Sequence, residues 1–273
     1  MIEAATSPLG SGLPSPADLL ALHDQQLRSP AAFLTTPGVL VEELGPLLRV
    51  SGSGPGATVL LRAHQAVGEA ELSRLIGEQV AHFASQGQPF EWKTFAHDPS
   101  LETQLLRLGF RRGEEETVMV GAATAVPPCR LPEGVTVRAA RSPSDFELLA
   151  RQLSEAFGND HGQKTESTRV AVEANPEAVA VLLAEAGGEV IASARAEFLS
   201  GTDFCTLWAG SVSPRWRHLG LYRALVAMRA EMALRRGHSL LEVEALPTSR
   251  PILERLGFTA VTTSVPFTWE SPG

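Results

Sequence analysis

The chain reads as a mixed α/β protein built of two related halves in tandem. Two observations predict this. Strand-like and helix-like segments alternate along the length, with strands in the majority. A pentapeptide, Leu106-Arg107-Leu108-Gly109-Phe110, recurs as Glu254-Arg255-Leu256-Gly257-Phe258, 148 residues later, each time after an amphipathic helix, a strand and a short helix. A helix ending in Gly is common, so the pentapeptide alone is a weak signal. Its repeated setting is what indicates internal duplication.

Composition sets the bounds. The 273 residues are 44% hydrophobic and 20% charged, enough for an ordinary core, and the length suits two domains. A net charge of −8, with no run of Lys or Arg, argues against a nucleic-acid partner held through phosphates. No apolar stretch is long enough to span a bilayer, and the first 16 residues lack the order of a signal peptide, so the expectation is a cytoplasmic protein without a membrane partner. Two cysteines form neither a disulfide framework nor a zinc spacing, and the seven histidines show no paired spacing, so no metal is expected.

The elements follow in order. Residues 1–15 read as a flexible tail, and Ser15-Pro16 opens a helix to about Gln26, Ser capping and Pro at the first helical position. Val39 to Leu44 and Leu47 to Val50 make a hairpin about Gly45-Pro46, and Thr58 to Arg62 a further strand. The run Ser51 to Gly56 resembles a phosphate loop only superficially. It lacks the Lys and Ser/Thr ending and leads into a strand, so it reads as a turn. Leu72, Leu75, Ile76, Val80 and Phe83 mark a helix, Pro89 to Phe95 a strand, Asp98-Pro99 the cap of a short helix, and Glu115 to Val120 a closing strand.

Pro127, Pro128 and Pro132 mark residues 122–134 as a linker, separating an N-terminal domain over 16–121 from a C-terminal one over 135–273. In the latter, Val135 to Arg138 is a strand, Ser142-Pro143 opens a helix to about Phe157, and Gly158 to Gln163 is a polar loop. Val179 to Leu183 and Val190 to Phe198 form a hairpin, and Phe204 to Val212 a strand. A helix from Leu221 to Arg236, a strand to Ala245, a helix over 248–256 and closing strands from Thr259 to Trp269 complete the order.

Val212 to Leu225 carries the chemistry. It lies where a strand ends and a long helix begins, so the first helical N–H groups lack partners and the positive end of the dipole faces outward. Gly220 lets an anion approach the backbone, and Arg215, Arg217 and Arg223 add positive potential. A diphosphate suits such a site, and a plain turn with solvated arginines is the alternative from physics alone. The segment resembles the pyrophosphate-binding signature of the GNAT superfamily of acyl-CoA-dependent N-acyltransferases. Val212, Pro214, Arg217 and Gly220 match its Val-x-Pro, then Arg-x-x-Gly pattern, while Tyr222 stands where Gly or Ala is commonest.

The resemblance covers about residues 135–270 and implies two GNAT-like mixed-sheet domains, the first degenerate and the second catalytic. It implies that Gly210, Ser211 and Val212 hold the pantetheine arm of acetyl-CoA, that amides of His218, Leu219, Gly220, Leu221, Tyr222 and Arg223 hold its pyrophosphate, and that Ser249 lies near the arm. A cap of the following helix is the other reading of Ser249. Ahead of the N-terminal helix stands only Arg62 to Val67, without Arg-x-x-Gly, so no second CoA site is expected.

Attack of an amine on a thioester needs an acceptor for the amine's proton and an acid for the leaving thiolate. In many members of the family a tyrosine supplies that proton; its position here is Leu253, and the one tyrosine is Tyr222. Either water protonates the thiolate, or Tyr222 takes the role, or CoA binds without turnover. Candidates for the base are Glu197, Asp203, Glu242 and Glu244, with Glu244 preferred where its strand meets the short helix. Asp160 and His161, in a loop that faces the acceptor in this family, are candidate acceptor contacts, with a plain polar loop tip as the alternative. Cys205 reads as a small buried hydrophobe.

The expected activity is acetyl transfer to a primary amine of a small-molecule or protein acceptor. Alternatives are a non-catalytic CoA-binding sensor or protein-interaction module, and a two-lobed acyltransferase using an aminoacyl-tRNA donor, against which the acidic charge counts. The sequence leaves a homodimer open.

Overall fold

A computed structural model describes residues 14–33, 38–52, 56–62, 67–98 and 101–271. Residues 1–13 of the expected tail, 53–55 of the expected turn, residues 63–66, and Pro99 lie outside the described residues.

The chain opens with α1 (Pro16–Leu27), where Ser15 accepts from the Asp18 amide and Asp18 reaches back to Ser15, a reciprocal cap. A 3-10 turn (Pro30–Phe33) leads to β1 (Leu40–Leu44), β2 (Leu47–Ser51) and β3 (Ala57–Leu61), then α2 (Glu69–Gln86), β4 (Phe90–Phe95), α3 (Glu102–Arg107), the two-residue β5 (Arg111–Arg112) and β6 (Glu116–Ala122). After the connection come β7 (Thr136–Ala139), α4 (Pro143–Phe157), α5 (Gly162–Ala174), β8 (Val179–Ala186), β9 (Glu189–Phe198) and β10 (Phe204–Val212). A 3-10 turn (Pro214–Trp216), α6 (Leu221–Arg235), β11 (Leu240–Ala245), α7 (Arg250–Arg255) and β12 (Thr259–Trp269) close the chain.

All strands join one sheet in the order β1-β2-β3-β4-β12-β6-β11-β10-β9-β8-β7, with β5 on the flank of β12. The two halves exchange their last strands. β6 leaves its own half to pair antiparallel with β11, and β12 crosses back to pair antiparallel with β4. The two exchanged strands pair with each other at the centre. On either side lies a parallel pair, β3 with β4 and β10 with β11, so the order reads as a near-palindrome about the β6/β12 seam. The duplication expected from the pentapeptide takes this physical form.

Alternation along the strands sorts the side chains to two faces. Trp92, Val59, Phe267 and Trp269 pack on α2 and α3, and Cys205, Leu207, Leu241 and Val243 belong to the same cluster as buried residues of α6 and α7. The opposite face meets α1, α4 and α5, with Phe146, Leu149 and Leu153 of α4 packed on Val179, Val181 and Leu183.

Two local expectations are corrected. Asp98 does not cap α3: one carboxylate oxygen accepts from Arg28 Nη2 at 2.6 Å and the other from the Phe95 amide at 3.1 Å. The stretch after His161 is a helix, α5, which its sequence conceals because its buried face is built of Thr165, Thr168, Ala171 and Val172. Thr168 satisfies its hydroxyl by donating to Lys164 O at 2.9 Å, which lets a polar residue face the core of a helix.

Candidate active site

The parallel pairing of β10 with β11 is short. It runs from Phe204/Leu240 to Thr206/Glu242 and stops, because β10 carries a bulge between Trp208 and Ser211 in its register with β9. Ala209 sits at the bulge with φ of 48°, a left-handed conformation costly for a residue with a Cβ. Beyond this point the strands part, and the backbone of Ala209 and Gly210 pairs with neither neighbour.

Arg229 of α6 holds the bulge open. It is fully buried and donates to Leu225 O at 3.1 Å and Arg195 O at 3.1 Å, and reaches Trp208 O at 3.5 Å. Burial lowers its pKa from the ordinary arginine value. Carbonyl oxygens, not carboxylates, thus satisfy this cation, a role that nothing in local sequence signals.

Three of the expected cofactor contacts flank the gap. A Cβ on Gly210 would come within 2.9 Å of Tyr222 Cε2, so glycine here lets the Tyr222 ring lie against β10. Tyr222 is within hydrogen-bonding reach of Ser249, and burial raises its phenol pKa, so it stays protonated. Ser249 makes no side-chain cap to α7; its hydroxyl donates to Leu246 O at 3.1 Å. Leu253, at the usual tyrosine position, is wholly buried in the core instead. The tyrosine that the sequence locates on the helix start therefore reaches the gap between the strands.

The loop into α6 bends through His218 at φ of 67° and Gly220 at φ of 88°, so that its amides and the free N–H groups of the first helical turn gather at one end. Leu219 is exposed and Leu221 is buried against the β8–β9 core. Arg217 pins the loop, donating to Val212 O and to Ala156 O, each at 3.2 Å. Arg215 pairs with Glu189. Among the described residues Arg223 and His218 have no carboxylate partner. The equivalent helix of the other half, α2, carries Glu69 and Glu71 in its first turn, which repel an anion, in keeping with the absence of a second signature there. Ser211 is turned away, its hydroxyl within 2.8 Å of Gln152 Oε1.

On the opposite face of the sheet the gap meets a cavity of about 450 Å³, roofed by α1 and α5 and floored by strands of both halves. Glu244 lies there, paired with Lys93 of β4 and accepting from Ser264 Oγ of β12 at 2.7 Å. Burial favours its neutral form, but Lys93 and Ser264 outweigh that and hold its pKa below the usual carboxylate range. Glu116 of β6 hydrogen-bonds Glu244; burial and the Glu244 charge push it up to about 7. Burial and the same charge raise Glu242 well above the usual range. Trp208 forms part of the wall, its indole donating to Thr206 Oγ1 at 2.8 Å, with Lys93 Nζ 5.9 Å from its ring centre.

The remaining candidates lie apart from this group or at its rim. Glu197 lines the cavity and pairs with Arg195 at 3.3 Å. Asp203 is engaged by Gln26, whose Nε2 donates to it at 2.8 Å, away from the cavity. Asp160 accepts from the Gly162 amide at 2.9 Å, and His161 contacts Asn159 Oδ1 at 2.8 Å; neither lines the cavity, and Lys164, one turn on, does. Cys205 is buried and its thiol pushed up to about 12, which makes it inert. Lys93, Glu116 and Glu91 escape a reading of the C-terminal half because they come from the other half through the exchanged sheet. Among the described residues no group of His, Cys, Asp and Glu is arranged to hold a metal, and no helix is long and apolar enough to cross a membrane.

Comparison with known proteins bears on this geometry. Residues 146–258 match the model of the Acetyltransferase (GNAT) family. A GCN5-related N-acetyltransferase from Kribbella flavida superposes with a TM-score of 0.68 at 16% identity, over 96% of this chain and 97% of that one. Another from Sphaerobacter thermophilus does so at 0.61 and 20% identity, over 95% of each chain. A tandem GNAT protein from the clavulanic acid biosynthesis pathway matches at 0.59 and 15% identity, over 98% of this chain and 91% of that one. At these identities the likeness is one of fold. No curated protein matches the sequence.

Proposed function

We propose that the protein, whose residues 146–258 match the model of the GNAT acetyltransferase family, transfers an acetyl group from acetyl-CoA to a primary amine of a small molecule or protein. The observation that carries this reading is the parting of β10 from β11 after Thr206/Glu242, with amides gathered at α6 on one side and a carboxylate-lined cavity on the other. The residues present suit the donor. The unpaired backbone of Ala209 and Gly210 offers strand-like hydrogen bonds to a pantetheine arm, and the loop from His218 to Arg223 offers amides and a guanidinium to a pyrophosphate.

Acetyl-CoA, when bound, supplies a thioester carbon open to an amine nucleophile. The chain's own groups manage the protons. A reacting amine must be neutral, and the Glu116–Glu244 pair accepts the proton it gives up, with Glu116 titrating near neutrality and Glu244 held ionised by Lys93. The preference for Glu244 as sole base thus becomes a shared role in which Glu116 is the proton acceptor. As the N–C bond forms and the C–S bond breaks, the Tyr222 hydroxyl is the proton source for the leaving sulfur. Its raised pKa keeps it protonated at neutral pH. Trp208 shields the gap from water on the acceptor side.

Calorimetric titration with acetyl-CoA, on the native chain and on Gly220→Glu, tests the donor site. Binding that the substitution abolishes is expected, since a carboxylate would occupy the anion position. Thiol release with an amine panel then tests transfer. Binding without release from any amine would favour a CoA-sensing module instead.

A further inference from the structure

The cavity beneath the strand gap carries more carboxylate than the reaction needs. Glu91, Glu116 and Glu242 line it, and among the described residues none of them has an ion-pair partner; Glu244 is neutralised by Lys93 and Glu197 by Arg195. Among the described residues the one cation on the wall without an ion-pair partner is Lys164. Three carboxyl groups thus face one unpaired lysine, and the cavity can take up two further positive charges by releasing the protons that burial keeps on Glu242 and Glu116. A second, independent feature points to a ligand: Glu242 is only 3% exposed, and its Oε1 has no hydrogen-bond partner. A buried acceptor left bare costs free energy that a donor entering the cavity would recover.

We infer that the acceptor is a diamine or larger polyamine that enters as a dication, one ammonium donating to Glu242 while the other lies beside Glu116 at the strand gap. This rests on the acetyl-transfer reading of the same site. The end beside Glu116 gives one proton to that carboxylate and becomes the nucleophile, and the second proton it loses as the amide forms returns to Tyr222 once the Tyr222 hydroxyl has protonated the leaving sulfur. The far end keeps its charge and sets the register of the chain between the two carboxylate groups. A monoamine can satisfy only one of the two positions. The five carboxylates come from β4, β6, β9 and β11, so the pocket for this ligand exists only because the halves share one sheet.

The test is calorimetric titration of the full chain, without donor, with 1,4-diaminobutane and with 1-butylamine. The diamine is expected to bind at least about tenfold more tightly. Glu242→Gln, which exchanges a carboxyl for an amide of the same shape, is expected to bring the two affinities together. Glu242→Asp, which draws the carboxylate back by one methylene, serves the same end if the first variant does not fold. Equal affinity in the native chain, no binding of either amine, or a preference that survives both substitutions would overturn the inference. Thiol release separates the two readings. Preferential diamine binding with no release in the presence of acetyl-CoA would keep the polyamine site and sink acetyl transfer. Release that is equally fast from both amines would keep acetyl transfer and sink the polyamine site.

Discussion

Lys93 and Glu244 stand 151 residues apart in the chain and form a part-buried ion pair at the centre of the sheet. Lys93 comes from the last strand that the N-terminal half keeps for itself, β4, and Glu244 from its counterpart β11. The exchanged strands β12 and β6 run between them. The pair ties the half proposed to bind the donor to the other half, and it places a cation on the wall of an acidic cavity.

Removing one partner should therefore cost more than the pair contributes. Lys93→Met leaves Glu244 without its compensating cation, and we expect a loss of about 1–3 kcal/mol in urea denaturation at neutral pH. Adding Glu244→Gln should restore most of it, because the double variant no longer buries a lone charge. A single variant as stable as the native chain would mean that Ser264 and solvent suffice for Glu244.

Glu116 sets a pH dependence of stability with a definite sign. Its pKa is raised from 4.5 to about 7, so between these values the folded chain holds a proton that the unfolded chain has released. Stability therefore falls as pH rises through that window. Glu116→Gln mimics the protonated form. Its thermal midpoint should match the native one at pH 4 and exceed it at pH 8 by roughly 2–4 °C. A variant less stable at pH 8 would contradict the assignment.

Asp145 carries the opposite sign. Burial alone would raise its pKa, but the Ser142 and Arg141 amides, each donating at 2.8 Å, and Arg138 lower it from 3.8 to about 2. Its contribution is complete above pH 3.8 and is lost as pH falls through about 2. Asp145→Ala should cost about 1–2 kcal/mol at neutral pH, and the difference should vanish in strong acid.

Tyr222→Phe should leave acetyl-CoA binding nearly unchanged and lower kcat by about a hundredfold or more, the scale of a lost general acid. Equal losses in binding and turnover would instead make Tyr222 a packing residue for the Gly210 bulge. Gly210→Ala separates the two further. Its Cβ would displace the ring, so it should reproduce the kcat loss while retaining the hydroxyl.

Much of this was legible residue by residue. Ser15-Pro16 and Ser142-Pro143 open helices because a side-chain cap and a fixed φ act within one turn of chain, and both helices start there. The strand-to-helix junction at Val212 to Arg223 was legible for the same reason, and so was the Gly-Phe ending of each half. α5 escaped because its buried face of Thr165, Thr168, Ala171 and Val172 carries a single large apolar side chain, which leaves no apolar period to count.

Local signals decided which segments are strands, where helices begin, and which glycine can bend the loop into α6, since each depends on neighbours a few residues away. Which strand lies beside which depends on pairings between residues far apart, and a period-two pattern fits several partners equally well. Hence only the tertiary structure decided that β6 and β12 change places. With that exchange came Lys93 beside Glu244, Glu116 in the cavity, and a carboxylate site assembled from both halves.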